Sequence, residues 1–196
     1  MGKMKGIAFV GTVRFLRAHR DEALASLAPH LHHYLDEFVV ASQWYPGSDM
    51  AGLLRCAADL HPGTPDRALE IMGETTVQGH ADVYGELVAR GSSSRTIAIW
   101  TRQYDSGALV RVRESRNSVR FDLTGFEDTS RELCLVVGGY LRGSLAVAGL
   151  LEPNVTKLAC CLWGDPACSW RATWHPRGPD LFAESESSEP ESSEPP

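Results

Sequence analysis

Four of the five cysteines lie in one stretch of 35 residues, Cys134 followed by Cys160-Cys161-Leu162-Trp163-Gly164-Asp165-Pro166-Ala167-Cys168. This spacing constrains the fold more than any other feature of the chain. Gly-Asp-Pro is turn chemistry, because glycine supplies a positive φ and proline presets its own. Residues 155–162 and 169–174 read as strands on either side. A hairpin centred on Gly164 sets Cys160 opposite Cys168 with both side chains on one face. Opposed Cβ atoms in such a pair are roughly 4.5–5.5 Å apart. That distance suits a shared metal ion, a disulfide or a small buried thiol pair, and spacing leaves all three open. Zinc would want four ligands. With Cys134 converging from the preceding helix there are three sulfurs, and Glu132, Asp165 and His175 are the candidates for a fourth.

The rest of the chain predicts an α+β fold, with helices packed on a small twisted antiparallel sheet. Leu24, Leu27, Leu31, Leu35 and Phe38 recur at helical spacing over residues 21–38, with a kink or break expected at Pro29. Trp44-Tyr45-Pro46-Gly47 reads as a loop, and Ser48 as the cap of a helix that ends at His61-Pro62-Gly63. Thr64 and Pro65 open a further helix, expected to run to Arg90. Gly73, Gly79 and Gly85 weaken it and share no helical face. Residues 92–104 favour a short helix. Residues 108–114 and 118–124 alternate apolar and polar side chains, a hairpin pattern. Thr129 and Glu132 have capping-box spacing and open a helix through Leu150, on which Gly139 and Gly143 offer close approach to another backbone.

With 196 residues, 43% of them hydrophobic, the chain can bury one core, taken as a single domain over residues 1–180. Residues 181–196 form an acidic Ser/Glu/Pro tail whose composition predicts disorder. Its five glutamates account for most of the net charge of −6, and no basic excess remains to support nucleic-acid binding. No run of about 20 apolar residues predicts a membrane span. The early Arg14, Arg17 and Arg20 spoil a signal peptide, so a reducing cytoplasm is the expected compartment. There metal binding or buried thiols outrank disulfides. His30, His32 and His33 lack metal-site spacing and read as a solvated face; His80, a lone histidine mid-helix, reads as structural, with haem ligation the alternative. No nucleophile elbow, phosphate loop or paired-carboxylate signature is present, so an enzyme is not expected.

Cys134, then Cys160, Gly164 and Cys168, resembles the closing motif of the 4-vinyl reductase-like sensory domain. Trp44-Tyr45-Pro46, Leu69-x-x-Met72-Gly73 and Trp100-x-x-x-Tyr104-Asp105-x-Gly107 are similar to words of a myxobacterial paralogous family of unknown function. The resemblance implies a fold shared with TRAPP-complex subunits and haem nitric-oxide-binding domains. It implies zinc held by Cys134, Cys160 and Cys168, with a glutamate that would fall on Lys157. Lysine is a cation, so that fourth ligand is missing. The haem branch's Tyr-x-Ser-x-Arg is also absent, since Tyr104-Asp105-Ser106-Gly107-Ala108 lacks the arginine. The expected function is a non-enzymatic regulatory module for a small apolar ligand, with a structural zinc allowed. The alternative is a TRAPP-like protein-interaction module, as a homodimer or with a partner protein.

Overall fold

A computed structural model describes residues 2–84 and 100–175. The chain opens with β1 (Lys3–Lys5) and α1 (Gly6–Ala18), then α2 (Arg20–Ser26), a 3-10 turn (Pro29–Leu31) and α3 (His33–Asp36). β2 (Trp44–Pro46) pairs antiparallel with β1 and leads into α4 (Gly47–Leu60) and α5, described over Pro65–Tyr84. A hairpin of β3 (Ala108–Ser115) and β4 (Ser118–Thr124) follows, then α6 (Arg131–Val147) and the closing hairpin of β5 (Asn154–Ala159) and β6 (Cys168–Thr173). The four late strands form one antiparallel sheet in the order β3-β4-β6-β5. The expected α+β architecture is thus present.

Two cores result. In α1, Phe9, Val13 and Leu16 are buried at helical spacing against Met50, Leu53, Leu54 and Ala57 of α4. In the sheet, Val119, Phe121 and Leu123 alternate inward along β4 and meet Trp170 and Ala172 of β6. α6 joins the cores, burying Leu133 in the first and Val137, Leu141 and Leu145 in the second. α5 lies across α6 at a reciprocal glycine contact. A Cβ on Gly73 would collide with the Val136 carbonyl, and one on Gly139 with the Glu70 carbonyl. The close approach expected of Gly139 is therefore real. Gly73 shares it, although its spacing from Gly79 and Gly85 gave no sign of this.

Several local expectations are corrected. Residues 21–38 are three short pieces: the break expected at Pro29 is present, but the helical pattern does not reach Phe38, which is left 82% exposed. Residues 44–46 are a strand rather than a loop, paired with residues some 40 positions earlier. Ser48 is not a cap; α4 begins one residue before it, with Pro46 at the cap position. The cap of α6 is Ser130, not Thr129: the Ser130 hydroxyl accepts the Leu133 N–H at 3.1 Å. With Ser130 as the cap, Glu132 falls one residue short of the capping-box position, and it pairs with Arg55 at 2.8 Å. Thr64 does cap α5, accepting the Arg67 N–H at 3.4 Å. Of residues 92–104, 100–103 are helical and the earlier ones lie outside the described residues, as do Arg90, Gly85 and the acidic tail. No described helix is long and apolar enough to cross a membrane.

Candidate ligand groove and thiol cluster

The closing turn fixes two of the cysteines. Gly164 takes φ +92°, and the Asp165 carboxylate accepts the Cys160 N–H at 2.8 Å. Cys168 then starts β6 opposite Leu123. Cys134 sits in the first turns of α6, its N–H bonded to the Ser130 carbonyl at 3.0 Å. Helix and hairpin bring the three sulfurs together as the spacing predicted. Cys134 is 3.7 Å from Cys160 and 3.8 Å from Cys168, and Cys160 is 3.7 Å from Cys168. A tetrahedral metal with bonds of about 2.3 Å to sulfur spans a sulfur–sulfur edge of about 3.8 Å, so three corners of such a site exist.

The fourth corner is cationic. Lys157 pairs with Trp170 across the β5–β6 ladder, which places both side chains on one face. Its Nζ lies 3.5 Å from the Trp170 ring centroid and donates to Cys134 Sγ at 3.2 Å. The other candidate ligands are engaged elsewhere. Asp165 holds the Cys160 amide, Glu132 holds Arg55, and His175 is exposed beside Leu151. Among the described residues the three cysteines alone form a metal-competent group. Burial pushes the Cys134 thiol up to about 12, against the pull of Lys157. Burial also opposes ionisation of Cys168, but the Cys161 N–H at 3.4 Å and the Lys157 charge hold it below its ordinary value. Cys56 lies apart in the helical core, and Cys161 is exposed. The histidines expected on a solvated face stay out of the site: His32 and His33 donate to the carbonyls of Leu27 and His30.

The thiol cluster forms part of the floor of a groove of about 370 Å³ between α5, α6 and the closing hairpin. Leu162 and Trp163 line it and are 52% and 70% exposed. Arg131 pairs with Asp66 at 2.6 Å, and Arg142 with Glu70 at 3.0 Å and with Glu74. Sequence reasoning missed this groove. The only hints were an unsheltered Trp163 beside the turn glycine and a lysine where the resemblance wanted an acid.

A second, apolar cavity of about 50 Å³ lies between the two cores, lined among others by Met50, Met72, Trp100, Tyr104, Val137 and Tyr140. Trp100 stacks on Tyr104 at 4.1 Å and meets the edge of Phe126 at 5.4 Å. The indole N–H of Trp100 is buried without an acceptor among the described residues.

No family model matches the chain, and no curated protein does. Solved structures do match. A mutant H-NOX protein from S. oneidensis in the Fe(II) ligation state is similar with a TM-score of 0.65 at 16% identity, over 91% of this chain and all of that one. A mutant Fe(II) unliganded H-NOX protein from K. algicida gives 0.62 at 13% identity, over 88% and 97%. A structure described as probing the function of heme distortion in the H-NOX family gives 0.63 at 10%, over 87% and 95%. These likenesses establish an H-NOX-like fold. They overturn the resemblance to 4-vinyl reductase-like, TRAPP and myxobacterial families, since the matching structures are H-NOX proteins. Three cysteines and a turn glycine describe one helix–hairpin corner, which is too local to assign a whole fold.

The described residues around the inner cavity do not fit haem. The inner cavity holds about 50 Å³, whereas cofactor sites measure roughly 300–1,000 Å³. The glycine contact of α5 with α6 and the Trp100–Tyr104–Phe126 stack close this region. Its described lining contains neither His nor Cys, though Met50, Met72, Tyr104 and Tyr140 are among it, and residues 85–99 contain no His, Cys, Met or Tyr. The side chain of His80 lies outside the described residues.

Proposed function

We propose that the chain is a non-enzymatic, haem-independent sensory module that binds a small, largely apolar ligand in the groove between α5, α6 and the closing hairpin. The observation that carries this is the groove itself: about 370 Å³, within the size range of small-molecule sites, with Leu162 and Trp163 exposed on its wall. Large apolar side chains held open beside a concavity are what a ligand would cover. The H-NOX-like fold supports a sensory role, because the neighbours' descriptions name Fe(II) and Fe(II)NO ligation states.

The test is thermal-shift and native mass spectrometry with a panel of small aromatic alcohols and amides, on the full chain and on Trp163→Ala. At least one compound should raise the melting temperature of the full chain, with a much smaller shift in the variant. An unchanged melting temperature across the panel, or equal shifts in both proteins, would remove the groove as the site.

A further inference from the structure

We infer that the groove selects monoanions, so that its ligand class is a small carboxylate with an apolar body, the carboxylate taken by Lys157. This rests on the reading of the groove as the ligand site and names the chemistry that site prefers.

Charge around the groove is balanced except at one point. Arg131 answers Asp66, and Arg142 answers Glu70 and Glu74. Lys157 has no carboxylate partner among the described residues. Its neighbours are a sulfur at 3.2 Å and the face of Trp170 at 3.5 Å. An ammonium carries three N–H donors. One goes to Cys134 and the ring face takes up the charge on a second side, which leaves donor capacity for a ligand at the groove floor. A partly buried cation without a counter-ion is costly, and an incoming carboxylate relieves that cost with a charge-assisted hydrogen bond.

The remaining walls set the rest of the ligand. Leu135, Val155, Leu162 and Trp163 are apolar and suit a ring or a branched alkyl body. The volume lies at the low end of ligand sites, which favours a compact molecule. With Asp66 and Glu70 already paired to arginines, Lys157 is the one groove cation without a carboxylate partner among the described residues, which matches a single negative charge on the ligand. Neutral apolar molecules fill the walls but leave Lys157 unanswered.

The experiment compares 3-phenylpropionate with its neutral amide, 3-phenylpropionamide, by isothermal titration and Trp fluorescence on the full chain. The carboxylate should bind at least tenfold more tightly than the amide, and the gap should shrink with added salt. Lys157→Met should abolish the gap while keeping the amide's affinity. Lys157→Gln serves if the methionine variant does not fold, judged by circular dichroism. Equal affinities in the wild type, or a gap that survives in a folded Lys157 variant, would overturn the anion selectivity while leaving the groove as a ligand site. Binding of neither probe up to millimolar concentration, while neutral compounds of the earlier panel do shift the melting temperature, would also overturn it. If that panel fails as well, the reading of the groove falls with it.

Discussion

Lys157 decides what three convergent cysteines can do. Their sulfurs span a metal-sized triangle, yet an ammonium lies 3.2 Å from one of them. A divalent cation entering there would meet like charge and would find three ligands rather than four. Reversing that single charge supplies both the missing donor and the attraction. We therefore expect far less than one zinc per chain in protein purified under reducing conditions, and close to one zinc per chain in Lys157→Glu, by elemental mass spectrometry. Cys160→Ser added to that variant should abolish the gain. Structural zinc contributes on the order of 10–16 kcal/mol in small domains, so a loaded Lys157→Glu should also melt at a higher temperature and lose that increment to chelator. Stoichiometric zinc in the wild type would refute this account of Lys157.

The α5–α6 pair is where elements constrain one another most. Ala at position 139 would push its Cβ into the Glu70 carbonyl, which is backbone and cannot turn aside. Overpacking of this kind costs about 1–3 kcal/mol, partly offset by the ~1 kcal/mol that Ala gains over Gly in a helix. Gly139→Ala should thus lower the unfolding free energy. Gly11→Ala, in α1 with nothing within 4 Å of the new Cβ, should raise it by roughly 0.5–1 kcal/mol; denaturant titration measures both. The same helix pair is pH-sensitive. Burial raises the Glu70 carboxyl, but Arg142 and Arg67 outweigh it and hold the group below its ordinary value. A carboxylate depressed in the folded state stabilises above its unfolded pKa of about 4.3, and that contribution is lost as pH falls through the folded value. The melting temperature of the wild type should therefore drop more steeply below about pH 5 than that of Glu70→Gln. These contacts also mark how far the sequence could be read. Gly139 announced a close approach and Gly164 a turn, because each signal is local. That Gly73 is the partner, that Trp44–Pro46 pairs with Lys3–Lys5, and that α5 walls a groove beside the hairpin all depend on segments meeting from far along the chain. Thr129 and Ser130 are equally able caps, and only the start of the helix chooses between them.

On the scale of the molecule, an H-NOX-like fold surrounds a cavity of about 50 Å³ where the two cores meet. Trp100 and Tyr104 stack beside it with Phe126 edge-on to both, and α5 rests directly on α6. Opening this region to the size of a porphyrin would separate the helix pair and expose the Trp100 cluster, at the cost of much of the interior. Hemin added to the protein should accordingly give no saturable Soret band, and protein expressed with a haem precursor should purify colourless. Truncating the stack is the sharper measurement. Trp100 is 5% exposed, and Trp→Ala in a core costs about 3–5 kcal/mol, much of it for the void left behind. An apolar void of that kind admits an apolar guest. Trp100→Ala should lose several degrees of melting temperature, regain part of them in the presence of indole, and still take up no haem. A one-to-one haem complex of the wild type would mean that the cores part readily, and the separation drawn between this chain and its haem-binding neighbours would then be lost.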